Sequence, residues 1–175
     1  MKALLVIDVQ RGFDDPMWGT RNNPEMEENI LSLLQKFREK NLPVYHVKHN
    51  SRNPDSPLHP KNEGNRLKDG FDPLDDEVFV TKKVNSAFMG TFLDEELQAD
   101  AIHELVIVGL TTDHCVSTTA RMAANLGYQV TIPTDATATF NRGNYPAEVI
   151  HDVELKILEG EFATIITTKE LLTSL

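Results

Sequence analysis

The sequence has 175 residues, of which 40% are hydrophobic, and it carries a formal net charge of -10 at pH 7. This length and composition predict a single domain, residues 1–175, whose core needs neither disulfides nor metals. The excess of acidic residues argues against nucleic acid and membrane partners, because it repels phosphate backbones and anionic lipids. A lone cysteine without a disulfide framework fits a reducing compartment, so we expect a cytoplasmic protein.

The N-terminal residues predict a buried strand and not a signal peptide. Their apolar run is interrupted after five residues by Asp8, and no small-residue cleavage site follows. No later apolar run approaches the ~20 residues that a membrane-spanning helix needs.

Short apolar segments then alternate with amphipathic helical patterns, which is typical of βαβ units around a parallel sheet. Most of these segments are rich in Val, Ile and Leu, as expected for strands that are covered on both faces. The six predicted strands are residues 3–8, 44–48, 78–82, 105–109, 129–132 and 163–167.

Five helices are predicted between and after these strands. The first begins near Pro24, with Asn23 as its N-cap. The second follows Thr91, which is predicted to be its N-cap in a capping box whose other side chain is that of Asp94 or Glu95. The other three cover roughly residues 113–126, 146–158 and 169–175.

One long segment, residues 50–77, has no regular pattern and holds four of the nine prolines. Loops of this length are usually lids, binding loops or disordered segments. We predict a loop that covers the substrate, in preference to a surface loop without a functional role.

Three reactive side chains follow or close predicted strands, namely Asp8, Lys82 and Cys115. In an open parallel sheet, ligands bind at the carboxyl ends of the strands, where the strand order reverses. Lys82 and Lys83 point to opposite sides of their strand, so only one of them can face such a site.

Cys115 lies at the start of the third predicted helix, close to the end of the fourth predicted strand. The free N–H groups and the positive dipole of a first helical turn favour thiolate, so we predict a lowered thiol pKa. A lone cysteine is more often a small buried hydrophobic residue, but the strand–turn–helix placement favours a nucleophile.

Three motifs contain the reactive residues: LLVIDVQ at residues 4–10 with Phe13, KKVNSAF at residues 82–88, and VGLTTDHCV at residues 108–116. Together they resemble the isochorismatase-like cysteine hydrolases. The resemblance covers nearly the whole chain. The superfamily includes nicotinamidases, N-carbamoylsarcosine amidohydrolases, and ureidoacrylate and biuret hydrolases.

The resemblance implies an α/β fold with three layers, α/β/α, and a Rossmann-like topology. Its sheet has six parallel strands in the order 3-2-1-4-5-6. The third strand then lies two places from the first, or ~10 Å away, so a lysine on it must lean across the sheet end.

The same resemblance assigns roles to individual residues. Asp8, Lys82 and Cys115 would be catalytic, and Lys82 is selected over Lys83 because the family's lysine lies four positions before the serine of Ser-Ala-Phe. A cis peptide bond would join Leu110 and Thr111. The backbone N–H groups of Thr111 and Cys115 would form the oxyanion hole.

The implied reaction is hydrolysis of a C–N bond in a small amide, ureido or carbamoyl compound through a thioester. The predicted substrate-binding residues are Gln10, Phe13, Trp18, Phe88 and His114, although each aromatic residue is individually more often a core residue. Relatives commonly form dimers or tetramers, so the resemblance also implies a homo-oligomer.

The sequence departs from the nicotinamidases of this family, which bind a metal through an Asp-x-His element and a further histidine. The corresponding residues, 46–51, read HVKHNS and lack that element. His46 and His49 are three apart on a strand and should face opposite sides, which leaves His59 in the loop as a further candidate. We therefore expect no metal and no cofactor, and nicotinamide becomes a less favoured substrate.

Three alternatives remain at this stage. Isochorismatases of the same fold cleave a vinyl ether but lack the cysteine, so the presence of Cys115 favours C–N hydrolysis. A redox-responsive thiol protein is the second alternative, weakened because no resolving cysteine exists. A nucleotide-binding module is disfavoured because the first strand lacks a glycine-rich turn.

Overall fold

A parallel β-sheet forms the centre of the structure, a computed structural model that describes residues 1–175. Its strands are β1 Lys2–Ile7, β2 Val44–His49, β3 Val78–Lys82, β4 Glu104–Leu110, β5 Gln129–Pro133, β6 Thr137–Ala138 and β7 Thr164–Ile166. The order is β3-β2-β1-β4-β5-β7, and every pair is parallel. The predicted α/β class and the order 3-2-1-4-5-6 are therefore confirmed, with the sixth predicted strand as β7.

The two-residue strand β6 was not predicted, because it is too short to show a periodic pattern. β5 pairs with β4 only along residues 104–106, and β6 pairs with Gly109 and Leu110 farther along β4. The carboxyl end of β4 consequently has hydrogen-bonded neighbours on both sides.

Helices cover both faces of the sheet. They are α1 Met26–Glu39, α2 Leu93–Ala99, α3 Ser117–Asn125, α4 Ala147–Leu158 and α5 Thr168–Ser174. Alternate residues of β1 belong to two separate cores: Leu5 and Ile7 pack with α2, α3 and α4, whereas Leu4 and Val6 pack with α1 and α5. Because both faces of β1 are buried, its sequence is continuously apolar. None of the helices has the length and apolar composition of a membrane-spanning segment.

The N-cap predicted for α1 is wrong. Asn23 has a positive φ of 44°, and its side-chain amide donates to the carbonyl oxygens of Thr134 (2.8 Å) and Thr137 (2.7 Å). The helix begins at Met26, with Glu25 in the N-cap position. Asn23 thus ties the start of α1 to the turn between β5 and β6.

The start of α2 is also different from the prediction. Phe92 is the N-cap, and neither Asp94 nor Glu95 bonds back to Thr91. The Thr91 hydroxyl instead accepts from the N–H of Leu93 (3.4 Å) and donates to the carbonyl of Ala87 (2.6 Å).

The long segment of residues 50–77 packs against the residues that follow β1. The N–H of Arg11 donates to the carbonyl of Arg66 (2.9 Å), and the N–H of Lys68 donates to the carbonyl of Val9 (3.0 Å). These bonds hold the segment beside the carboxyl end of β1, where the predicted site lies.

Gly109 provides a test of how closely β1 and β4 approach each other. Its φ is +114°, and an added Cβ would lie 2.0 Å from the carbonyl oxygen of Ile7. We expect Gly109→Ala to lower the free energy of unfolding by about 3 kcal/mol or more, because backbone strain and a backbone clash combine. Urea denaturation would measure this loss.

Gly127→Ala is the matched control for that substitution. Gly127 also has a positive φ, +98°, but an added Cβ would meet nothing within 4 Å. Its cost should be only about 1 kcal/mol. Equal losses in the two variants would contradict the proposed clash at Gly109.

Candidate active site

The strand order reverses between β1 and β4, and these strands end side by side because Ile7 pairs with Gly109. Asp8 follows β1 directly, with a positive φ of 54°. Cys115 follows β4 in a single π-helical turn, Thr112–Val116. Both side chains therefore lie where ligands bind in open α/β sheets.

Lys82, the last residue of β3, connects these two groups. Its Nζ lies 2.6 Å from Asp8 Oδ2 and 3.2 Å from Cys115 Sγ. The side chain is fully buried, whereas Lys83 is exposed. The structure thus brings the three predicted catalytic residues into one cluster, and it shows how Lys82 leans across the sheet end.

A cavity of about 120 Å³ adjoins Cys115 and Asp8. The predicted substrate-binding residues Phe13, Trp18 and His114 line it. Its volume is smaller than the ~300 Å³ at which typical ligand pockets begin, so it suits a substrate of few atoms. The long segment of residues 50–77 contributes Leu58 to the lining, so part of that segment adjoins the cavity. That the segment covers a substrate stays a prediction.

Thr111, predicted to contribute to the oxyanion hole, also lines this cavity. The peptide bond between Leu110 and Thr111 is cis. The Oγ1 atom of Thr111 is buried and has no hydrogen-bond partner.

Two predicted substrate-binding residues lie elsewhere, which corrects the prediction. Gln10 is fully buried, and its side-chain amide forms hydrogen bonds with backbone groups. Its Nε2 donates to the carbonyls of His49 (3.0 Å) and Asn65 (2.9 Å), and its Oε1 accepts from the N–H of His49 (2.9 Å). Phe88 packs in the core, where its ring stacks on Tyr128 at a centroid distance of 6.0 Å. Neither side chain lines the cavity.

Besides Leu58, three lining residues were missed from the sequence: His49, Asn85 and Arg142. The Nδ1 atom of His49 lies 3.1 Å from Lys82 Nζ, and Asn85 Oδ1 lies 3.8 Å from Cys115 Sγ. The signal for His49 was its position at the end of β2, in register with Lys82. Asn85 stands inside the KKVNSAF motif.

Arg142 had no comparable signal in the sequence. Its guanidinium binds Asp113 through Nε (2.9 Å) and Nη2 (3.2 Å). Although burial opposes the shift, hydrogen bonds from Arg142 and Thr139 lower the pKa of Asp113 to about 2. The ion pair between Arg142 and Asp113, which lies in the π-helical turn, therefore stays formed at neutral pH.

The predicted lowering of the Cys115 thiol pKa is wrong. Burial raises the pKa of this thiol, the Asp8 carboxylate raises it further, and the Lys82 ammonium opposes both effects. Cys115 is buried in the π-helical turn, and α3 begins only at Ser117, so a helix N-terminus does not dominate its surroundings. The site therefore holds a protonated thiol beside a carboxylate and not a preformed thiolate.

The prediction that His46 and His49 face opposite sides is confirmed. His46 Nε2 lies 2.9 Å from Glu77 Oε2, away from the cluster. Potential metal-ligand atoms of Asp8, His49 and Cys115 lie within 4.8 Å of one another. However, Lys82 Nζ contacts all three residues, so a metal ion among them would be repelled by the ammonium charge.

This sheet, with reactive side chains at its switch point, defines the class of doubly wound α/β proteins. The family model for the isochorismatase domain matches residues 2–170. The chain therefore belongs to the isochorismatase family of hydrolases.

Individual relatives agree with this assignment. The isochorismatase family protein YrdC of Bacillus subtilis is 49% identical over 176 residues, which cover 98% of this chain and 94% of that protein. Nicotinamidase 3 of Arabidopsis thaliana is 32% identical over 188 residues, covering 99% and 88%. The crystal structure of an isochorismatase-family protein from Chromobacterium violaceum has a TM-score of 0.94 and 36% identity, covering 99% and 92%.

The raised thiol pKa predicts how stability depends on pH. Above the ordinary thiol value of 9.0, the unfolded chain loses the Cys115 proton while the folded chain retains it. The free energy of unfolding should then fall by about 1.4 kcal/mol per pH unit. Lys82, whose pKa is also raised, adds a loss of the same sign only above its ordinary value of 10.5.

Urea unfolding of the wild type and of Cys115→Ala, compared at about pH 8 and about pH 10, would measure the thiol contribution. Cys115→Ala lacks this thiol, so its stability should fall less over that interval. Equal losses in both proteins would refute a raised thiol pKa.

The buried ion pair gives a second prediction. Lys82→Met leaves the Asp8 carboxylate buried without its cation, and should lower the free energy of unfolding by about 3 kcal/mol or more. Adding Asp8→Asn removes the remaining charge, so the double variant should recover part of this loss, as urea denaturation would show.

Lys83→Met is the exposed control, expected to change the free energy of unfolding by about 0.5 kcal/mol or less. A double variant no more stable than Lys82→Met would argue against charge as the cause.

Proposed function

We propose that this chain is a cysteine hydrolase that cleaves the C–N bond of a small amide, ureido or carbamoyl compound. The observation that carries the proposal is the contact of one buried ammonium with both the Asp8 carboxylate and the Cys115 thiol, beside a small cavity. The similarity to a nicotinamidase, an enzyme named for amide hydrolysis, supports the bond type.

The proposed first step uses the free oxygen of Asp8. Its Oδ2 accepts from Lys82, whereas Oδ1 is buried without a hydrogen-bond partner. Oδ1 takes the thiol proton while Cys115 Sγ attacks the substrate carbonyl carbon. Because the raised pKa keeps the resting thiol protonated, proton transfer accompanies the attack. The carbonyl electron pair moves to oxygen and gives a tetrahedral oxyanion.

The oxyanion would be bound by the backbone N–H groups of Thr111 and Cys115. Asp8 then returns its proton to the substrate nitrogen as the C–N bond breaks, so that ammonia or an amine leaves and a thioester remains. Water, deprotonated by the same carboxylate, hydrolyses the thioester and regenerates the thiol. Lys82 keeps its charge throughout and stabilises the anionic forms of its two partners.

The cavity favours a small planar substrate. The rings of Phe13 and Trp18 lie 5.2 Å apart, and the indole N–H of Trp18 donates to the Gly12 carbonyl (2.7 Å), which fixes its orientation. Such aromatic walls bind planar groups without requiring charge.

The alternatives from the sequence are less well supported. A redox-responsive thiol should be accessible and acidic, but Cys115 is only 8% exposed and its pKa is raised. Vinyl-ether hydrolysis would leave the thiol without a part in the reaction. A homo-oligomer and a cytoplasmic location stay predictions from the sequence.

Release of ammonia or amine from a panel of small amides, ureas and carbamoyl compounds tests the proposed function. Cys115→Ala should abolish turnover, and intact-mass spectrometry should detect an acyl adduct in the wild type but not in the variant. Circular dichroism would establish that the variant is folded. A Cys115→Ala protein that retains wild-type activity would refute the covalent mechanism.

Lys61→Ala provides a control, because this exposed residue does not line the cavity. Its activity should stay within about twofold of the wild type, as expected for a surface change.

A further inference from the structure

The ammonium group of Lys82 has a partner for each of its hydrogens. A lysine ammonium has three N–H donors and no acceptor. Here the three acceptors are Asp8 Oδ2 (2.6 Å), His49 Nδ1 (3.1 Å) and Cys115 Sγ (3.2 Å). Lys82 consequently has no donor left for a substrate, and its position is set from three directions.

We propose that His49 is a positioning residue, whose Nδ1 accepts the third N–H of Lys82 and thereby aims the ammonium at Asp8 and Cys115. The proposal rests on the proposed function, because it gives His49 a part in activating the thiol. The contact nevertheless has a consequence for thiol reactivity that can be measured without any substrate.

The surrounding backbone holds His49 in place for this contact. The Gln10 side chain bonds to both backbone groups of His49: its Oε1 accepts from the His49 N–H (2.9 Å) and its Nε2 donates to the His49 carbonyl (3.0 Å). Asn65 donates to the same carbonyl (3.1 Å), and His49 is the register partner of Lys82 in the sheet. Gln10, predicted to bind substrate, therefore supports the positioning residue.

The contact requires a neutral imidazole, because a protonated Nδ1 has no lone pair to offer. Protonation would also place a second cation 3.1 Å from the ammonium. The groups that face the ring are Lys82 on β3, Asp8 after β1 and Cys115 in the π-helical turn. Burial lowers the pKa of His49 and Lys82 lowers it further, whereas Asp8 and a hydrogen bond with the Val84 backbone oppose them. The net shift is downward, so the ring is neutral at neutral pH.

Loss of this acceptor would leave one N–H of Lys82 without a partner, so the ammonium would no longer be held in hydrogen-bond contact with Cys115 Sγ. The thiolate that forms during attack would then be less stabilised. Substitutions that keep or remove an acceptor at the Nδ1 position should separate this effect from loss of packing. Asn offers a carbonyl oxygen at the corresponding place in the side chain, whereas Leu has a similar shape without an acceptor.

The experiment measures the rate at which iodoacetamide alkylates Cys115 across a range of pH in the wild type, His49→Asn and His49→Leu. Cys115 is the only cysteine, so the adduct is unambiguous. His49→Leu should react about tenfold more slowly at neutral pH, the size expected for one hydrogen bond to a charged group, and its thiol should titrate at higher pH. His49→Asn should stay within about twofold of the wild type.

His46→Asn is the control from the same strand, because His46 faces the opposite side and bonds to Glu77. It should lose stability without a change in alkylation. Thermal unfolding would verify that each variant is folded under the assay conditions. The proposal is overturned when His49→Leu alkylates like the wild type, or when His49→Asn is as slow as His49→Leu.

A second measurement needs no variant. Nitrogen NMR of the wild-type protein should show His49 with an unprotonated Nδ1 and a protonated Nε2 at neutral pH. A proton on Nδ1 would refute the proposal.

The two proposals fail separately. If no amide in the panel is hydrolysed while the alkylation rates change as expected, the proposed function falls and the role of His49 in thiol positioning stands. If amides are hydrolysed and the alkylation rate does not depend on His49, the proposed function stands and the role of His49 is refuted.

Discussion

The ion pair between Lys82 and Asp8 is the interaction on which the site depends. Both side chains are 0% exposed, so neither charge is solvated by water and each is retained because the other is 2.6 Å away. The pair spans two strand positions, from β3 to the end of β1, and it therefore requires the strand order found here. The thiol of Cys115 responds to both charges, and His49 completes the ammonium's set of acceptors.

Much of the fold could be predicted because its signals are local. Strands covered on both faces give short apolar runs, and parallel strands bring their carboxyl ends to one edge, which placed Asp8, Lys82 and Cys115 together. The resemblance supplied the strand order and the choice of Lys82. Helix starts were less predictable, since the side chain of Asn23 bonds to Thr134 and Thr137, more than a hundred residues away.

The electrostatics of the site could not be predicted in the same way. The expected acidity of Cys115 followed from its place after a strand and before a helix, which is a local argument. Its actual environment combines burial with the charges of two distant residues, and burial is the largest of these effects. The role of Gln10 was hidden for the same reason, because its partners lie 39 and 55 residues along the chain.

The segment of residues 50–77 contributes a single side chain, Leu58, to the cavity and none to the reacting groups. Most of the other lining side chains lie close in sequence to the clustered residues, because Phe13 and Trp18 follow β1, Asn85 follows β3 and His114 precedes Cys115. A substitution at Leu58 can therefore change one wall of the cavity without removing any contact that Lys82 makes to Asp8, His49 or Cys115.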